Sequence, residues 1–229
     1  MRYWTWAEIK QKLENDCDLQ DETFIHTDEL LGYANEAIDE AEAEIHSLYE
    51  DYFLSKVDIP VAAMDTTIDM PADIYANKIR RIIFTSSGGG STYAVERMKD
   101  WHKFEEQALA DISQSTDLYR YFITNEVPGE PKILFVPRLN EAGTMRIWFL
   151  RNANRLAVDT DICDIPEFIN FVFAHMKVKV YDKEGHPGLT VALQKLEQER
   201  DRMNAVLSQM VPDADNEVEL DLRTYGEMN

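Results

Sequence analysis

Three acidic residues, Asp159, Asp161 and Asp164, stand at a spacing that partly matches a calcium loop. The glycine that such a loop needs at its sixth position and the glutamate at its twelfth are both missing, so the run reads as a polar connection into a helix. Gly88-Gly89-Gly90 could in principle cradle a phosphate. No Lys-Ser/Thr pair follows it and the dinucleotide spacing is absent, which makes it a hairpin loop between strands. The five histidines (His26, His46, His102, His175 and His186) share no HExxH or other paired ligand spacing. His175 lies in an apolar run and reads as a hydrogen-bonded core histidine. Cys17 and Cys163 lack CxxC spacing and a neighbouring histidine, and no GxSxG elbow occurs. These readings together predict no catalytic residue, no metal site and no cofactor.

The elements that carry these residues divide into helix-patterned ends and a strand-patterned middle. Thr5 with Glu8 has capping-box spacing and predicts a short helix from Trp6 to Glu14, followed by a polar loop over 15–26. Thr27 is expected to cap a long helix with Asp28 and Glu29 in its first turn. Leu31, Ala34, Ile38, Ala41, Ile45, Leu48 and Tyr52 form its apolar stripe, and Glu36, Asp39, Glu40, Glu44 and Glu50 its acidic face. From 53 to 152 short β-branched and aromatic runs alternate with turn residues: Val57–Val61, Thr66–Met70, Lys78–Thr85, Thr92–Arg97, Tyr119–Thr124, Lys132–Val136 and Thr144–Arg151. A helical segment over Lys99–Ile112 interrupts them. Asp164 and Glu167, with Pro166 in the first turn, predict a further capping-box helix start. The helix Glu167–Tyr181 is apolar nearly all round and therefore buried on most sides. Gly185-His186-Pro187-Gly188 ends it. The last helix, Leu189–Met210, carries Leu189, Leu193, Leu196, Met203, Leu207 and Met210 at steps of three and four, with Arg200 as a polar break, and predicts a helical hairpin. The fold class is thus α+β: a helical bundle from the N- and C-terminal segments (1–52 and 164–210), an inserted antiparallel β-sandwich or barrel-like sheet (53–163), and an extended tail (211–229).

Composition bounds the function. The chain of 229 residues holds 43 acidic and 23 basic residues, a formal charge of −20. Such a surface repels phosphates, which argues against duplex binding. Two distant cysteines argue for a reducing compartment, no apolar run reaches membrane-spanning length, and the first residues lack a signal-peptide profile. A soluble intracellular protein is expected.

The order of local phrases resembles the head-to-tail adaptor, or head-completion, family of tailed bacteriophages. Trp6-Ala7-Glu8-Ile9 opens a short helix. Leu31-Gly32-Tyr33-Ala34-Asn35-Glu36-Ala37 is similar to the family's "Leu-x-x-x-Asn-Glu-Ala" opening of a long acidic helix. Ile68-Asp69-Met70-Pro71-Ala72-Asp73 resembles a strand ending in "Leu-Pro-x-Asp", and Val136-Pro137 followed by Thr144–Phe149 a final hairpin. Ile165-Pro166-Glu167-Phe168 begins the closing helical pair. The loop over 15–26 is longer and the segment 99–118 more helical than the family pattern.

The resemblance implies a non-enzymatic virion component at the neck. It would form a ring of about twelve copies, bind the portal and a tail or nozzle protein, and let DNA pass without specific binding or membrane contact. Glu36, Asp39, Glu40 and Glu44 are the channel-lining candidates. Arg80, Arg81, Arg151 and Arg155 are candidate partners for neighbouring carboxylates. In the tail, Val218, Leu220 and Leu222 alternate with Glu219, Asp221 and Arg223 as in a strand with one apolar face. With Tyr225 they are expected to join the portal or a neighbouring subunit by strand addition. Another neck or tail part, an acidic protein-binding scaffold and a hydrolytic enzyme stand as alternatives.

Overall fold

The computed structural model of the chain describes residues 2–19, 24–103, 119–127 and 130–210. The chain divides at Tyr49/Glu50 and Ala153/Asn154 into two compact units, one from the two outer segments and one from the middle.

The outer segments form a helical unit. Helix α1 (Trp6–Asp16) starts with the capping box that Thr5 and Glu8 predict. The Thr5 hydroxyl accepts from the Glu8 N–H, and the Glu8 carboxylate accepts from the Thr5 N–H at 3.0 Å. Just before it, β1 (Trp4–Thr5) pairs antiparallel with β9 (Ile162–Cys163). Two more α1 donors bond the carbonyls of Asp161 and Asp159. That is why residues 154–163 go with the helices. The Asp161 carboxylate turns inward on its own loop, accepting from the N–H groups of Ala157 and Val158 at 2.7 and 2.9 Å.

Helix α2 (Thr27–Leu48) is capped one residue earlier than expected: His26 holds the cap position and Thr27 is already helical. The Glu29 carboxylate accepts from the His26 N–H at 3.0 Å, so the third helical residue reaches back to satisfy the cap residue's own donor. The start expected at Asp164 also differs. Asp164 does not cap; its carboxylate accepts from the Asn154 N–H at 3.1 Å. A 3-10 turn, Pro166–Phe168, leads instead into α3 (Ile169–Glu184). As its composition predicts, α3 is buried on most sides, through Phe171, Val172, Phe173, His175, Met176 and Val180. Gly185 ends it in the left-handed region at φ 69°, where a side chain would be strained. Helix α4 (Leu189–Met210) folds back against α3. Its buried residues are Ala192, Glu199, Met203 and Leu207, whereas Leu193 is 49% exposed.

The middle segment is a seven-stranded, mostly antiparallel, nearly closed sheet. Its strands are β2 (Leu54–Val61), β3 (Thr67–Asp69), β4 (Ile74–Ser86), β5 (Thr92–Arg97), β6 (Tyr119–Val127), β7 (Glu130–Val136) and β8 (Gly143–Arg151). Their order is β2-β8-β4-β5-β6-β7-β3. The two edges are consecutive strands, so a short connection over 62–66 links them. The glycine-rich loop joins β4 to β5 in register, Thr85 opposite Thr92. Met145, Ile147 and Phe149 alternate inward on β8 and meet Ile82, Phe84 and Ile133 in one core. The β5–β6 pair alone among these is parallel. Of the helical segment expected over Lys99–Ile112, Trp101–Lys103 are helical, and the remainder lies outside the described residues.

Candidate functional site

Acidic residues at steps of three and four on one helix need cations or water. Helix α3 supplies three titratable bases at four-residue steps, His175, Lys179 and Lys183, and it packs against α2. They meet the acidic face of α2 as a zipper. Lys183 Nζ is 2.6 Å from both Glu29 oxygens, Lys179 Nζ is 2.5 Å from Glu36, and His175 Nε2 is 3.1 Å from Glu40. The Lys183 hydrogen bond holds the Glu29 carboxyl below its ordinary range, helped by the His26 N–H.

Glu40 is the hub of this row. It also takes a charged hydrogen bond from Arg200 on α4, and Arg200 lies 3.8 Å from Glu44 and 3.3 Å from Glu197. The guanidinium carbon is 5.9 Å from the centre of the Phe171 ring. His175 is 4% exposed, and burial pushes its pKa below the ordinary value although Glu40 and Glu36 pull the other way. Burial therefore works against its carrying a charge opposite Glu40.

All four channel-lining candidates thus have partners inside the unit: Glu36 with Lys179, Asp39 with Arg155 at 2.7 Å, Glu40 with Arg200 and His175, and Glu44 with Arg200. Their side chains stay 32–51% exposed, so each faces both a cation and water. Of the arginines expected to reach neighbouring subunits, Arg155 is engaged with Asp39, and Arg80 with Glu50 and Asp51. Arg151 donates to the Asn152 carbonyl and lies over Phe53, and Arg81 is exposed on β4. Val218, Leu220, Leu222 and Tyr225 lie outside the described residues.

Charge is unevenly shared between the units. Segments 1–49 and 154–229 carry 28 acidic and 11 basic residues, against 15 and 12 in 50–153. Sequence reading identified the acids of α2 but not their cations, which lie more than a hundred positions away. The four-residue spacing of His175, Lys179 and Lys183 was the available signal.

The other chemistry-bearing residues are separated. His186 stacks on Tyr181 at 4.1 Å and its Nδ1 accepts from the Gly188 N–H. Cys163 is fully buried, and desolvation raises its pKa to about 11. Ser86 of the glycine-rich hairpin donates to Glu141 at 2.6 Å and accepts from the Gly88 N–H. Among the described residues no group of three or more His, Cys, Asp or Glu could hold a metal ion, and no helix is long and apolar enough to cross a membrane. No protein-family model matches the chain, and no curated protein matches it.

Proposed function

We propose that the chain is the adaptor subunit of a bacteriophage neck, assembled as a ring between portal and tail. The observation that carries this reading is the charge distribution. The outer segments, 1–49 and 154–229, hold 28 of the 43 acidic residues, while the middle segment is nearly balanced. A lumen walled by such helices repels phosphates, so duplex DNA slides past without sticking. The resemblance in local phrasing, from the capped first helix to the closing helical pair, points the same way. On this reading the α2 acids hold their shape through internal cations and contribute only a softened field at Glu36, Asp39, Glu40 and Glu44. The tail residues Val218, Leu220, Leu222 and Tyr225 would contact the portal or a neighbouring subunit. The chain would have no turnover activity.

The test is reconstitution with portal-bearing heads, followed by imaging and native mass measurement. A ring of about twelve copies with a net acidic lumen is the expected result. A chain that stays monomeric beside the portal, or a lumen that maps as net basic, would sink the reading.

A further inference from the structure

Strand β2 ends the order of the sheet and pairs on one side only, with β8, from Leu54 opposite Leu150 to Val61 opposite Gly143. Its other edge takes no hydrogen bond from any described residue. Backbone donors and acceptors therefore face outward along this eight-residue strand. The core is also thinly covered at this edge. Val57 and Ile59 point inward, opposite Ile147 and Met145, yet both are half-exposed while their β8 partners are buried. Leu54, on the outer face, is 41% exposed.

The outer face of β2 carries Lys56 and Asp58 on the same side of the sheet. Asp58 accepts from Arg146 on β8 through both oxygens, at 2.7 and 2.9 Å. Lys56 Nζ stands 5.5 Å from the centre of the Trp148 ring, and no carboxylate among the described residues lies within bonding distance of it. A lysine on an open edge deters a foreign strand, because pairing would crowd its charge without a counter-ion. A strand that sets a carboxylate opposite the lysine removes that obstacle.

We propose that β2 is a self-recognition edge whose partner is β2 of a second copy, paired antiparallel with Val57 facing Val57 across a two-fold axis. In this register Lys56 stands opposite Asp58 of the second copy, and Asp58 opposite that copy's Lys56. Each carboxylate then lies between two cations, Arg146 of its own chain and Lys56 of the other. Leu54 meets Pro60, whose missing N–H falls at the end of the ladder, and about six backbone hydrogen bonds join the strands. Sliding the strands by two residues would set Lys56 against Lys56 or Asp58 against Asp58, and sliding by one would turn inner faces against outer ones. The run Leu54–Pro60 is thus complementary to itself in one register, in which the second strand also covers Val57 and Ile59. A two-fold contact closes after two copies, so the inference concerns the free chain and stands apart from any ring.

The experiment oxidises an equal mixture of full-length Lys56→Cys and Asp58→Cys chains and maps the disulfides by peptide mass spectrometry. Opposite residues of an antiparallel pair have Cα atoms about 4.5–5.5 Å apart, within reach of a disulfide. A link between positions 56 and 58 of different chains, about tenfold above the 56–56 and 58–58 links of each variant alone, supports the proposal. Links without that preference, or none between these positions, overturn it. Sedimentation equilibrium of the full chain measures the contact without added cysteines, with folding checked by circular dichroism. Monomer–dimer exchange is expected. Lys56→Glu, which faces Asp58 at both ends of the contact, should raise the dissociation constant about tenfold, while Lys56→Arg stays within about twofold. A chain that is monomeric throughout, or a constant unchanged in Lys56→Glu, overturns the proposal.

Discussion

Replacing Arg200 by Met tests whether the polar seam of α2, α3 and α4 holds the helical unit together. Methionine keeps an apolar contact with Phe171 but removes the only cation that α4 contributes to Glu40 and Glu44 among the described contacts. Glu40 then keeps only His175 Nε2 at 3.1 Å among these contacts, a ring whose charged form burial disfavours. A charge-assisted hydrogen bond contributes about 1.5–3 kcal/mol, and the partly lost cation–π contact about 0.5 kcal/mol. Water recovers part of this, because the Arg200 side chain is 28% exposed and that of Glu40 36%. The expected loss is therefore about 1.5–2 kcal/mol at low salt, shrinking in 1 M salt. Arg200→Lys keeps the charge without the planar fork and should lose about half as much. Urea unfolding followed by helical circular dichroism measures both. A double-mutant cycle with Glu40→Gln should return a coupling of about 1 kcal/mol. A loss below about 0.5 kcal/mol at low salt would refute the reasoning, leaving the apolar contacts of α3 to account for the packing.

Gly143→Ala should destabilise the sheet by about 2–3 kcal/mol, because a Cβ there would stand 2.3 Å from the Thr85 carbonyl oxygen and 2.5 Å from the Phe84 ring. The urea midpoint of the sheet transition measures it. His175 makes the stability of the helical unit pH-dependent. Its folded pKa lies below its ordinary value of 6.5, so the unfolded chain binds the proton more readily. That contribution is fully present above pH 6.5 and is lost as pH falls below it; urea midpoints between pH 8 and pH 5 should fall, and His175→Gln should flatten that slope. Cys163, fully buried with its pKa raised to about 11, should resist thiol reagents in the native chain at pH 8 and react only on unfolding.

Local periodicity determined a good deal about this protein. All seven sheet strands were legible, because period-two alternation and turn chemistry are short-range properties of the chain. The all-round apolar pattern of α3 likewise announced its burial. Caps were less legible: Thr27 and Asp164 had suitable side chains, but the backbone turned one residue away from each. The face of α4 was legible in part: Met203 and Leu207 of the expected stripe are buried, whereas its N-terminal half is turned for a physical reason. Spacing of leucines pointed to Leu193, yet packing against α3 buries Ala192, Glu199, Met203 and Leu207. A carboxylate can occupy that inward line because Lys195 and Arg202, one turn away on the same helix, accompany it. The strand order, with its parallel β5–β6 pair, and the partners of Glu36, Asp39, Glu40 and Glu44 were decided by tertiary structure alone. Arg155 lies 116 residues from Asp39, and Arg200 lies 160 from Glu40. A helical face of carboxylates looks the same in sequence whether water or a distant cation meets it, and only the packing of the helices chooses between them.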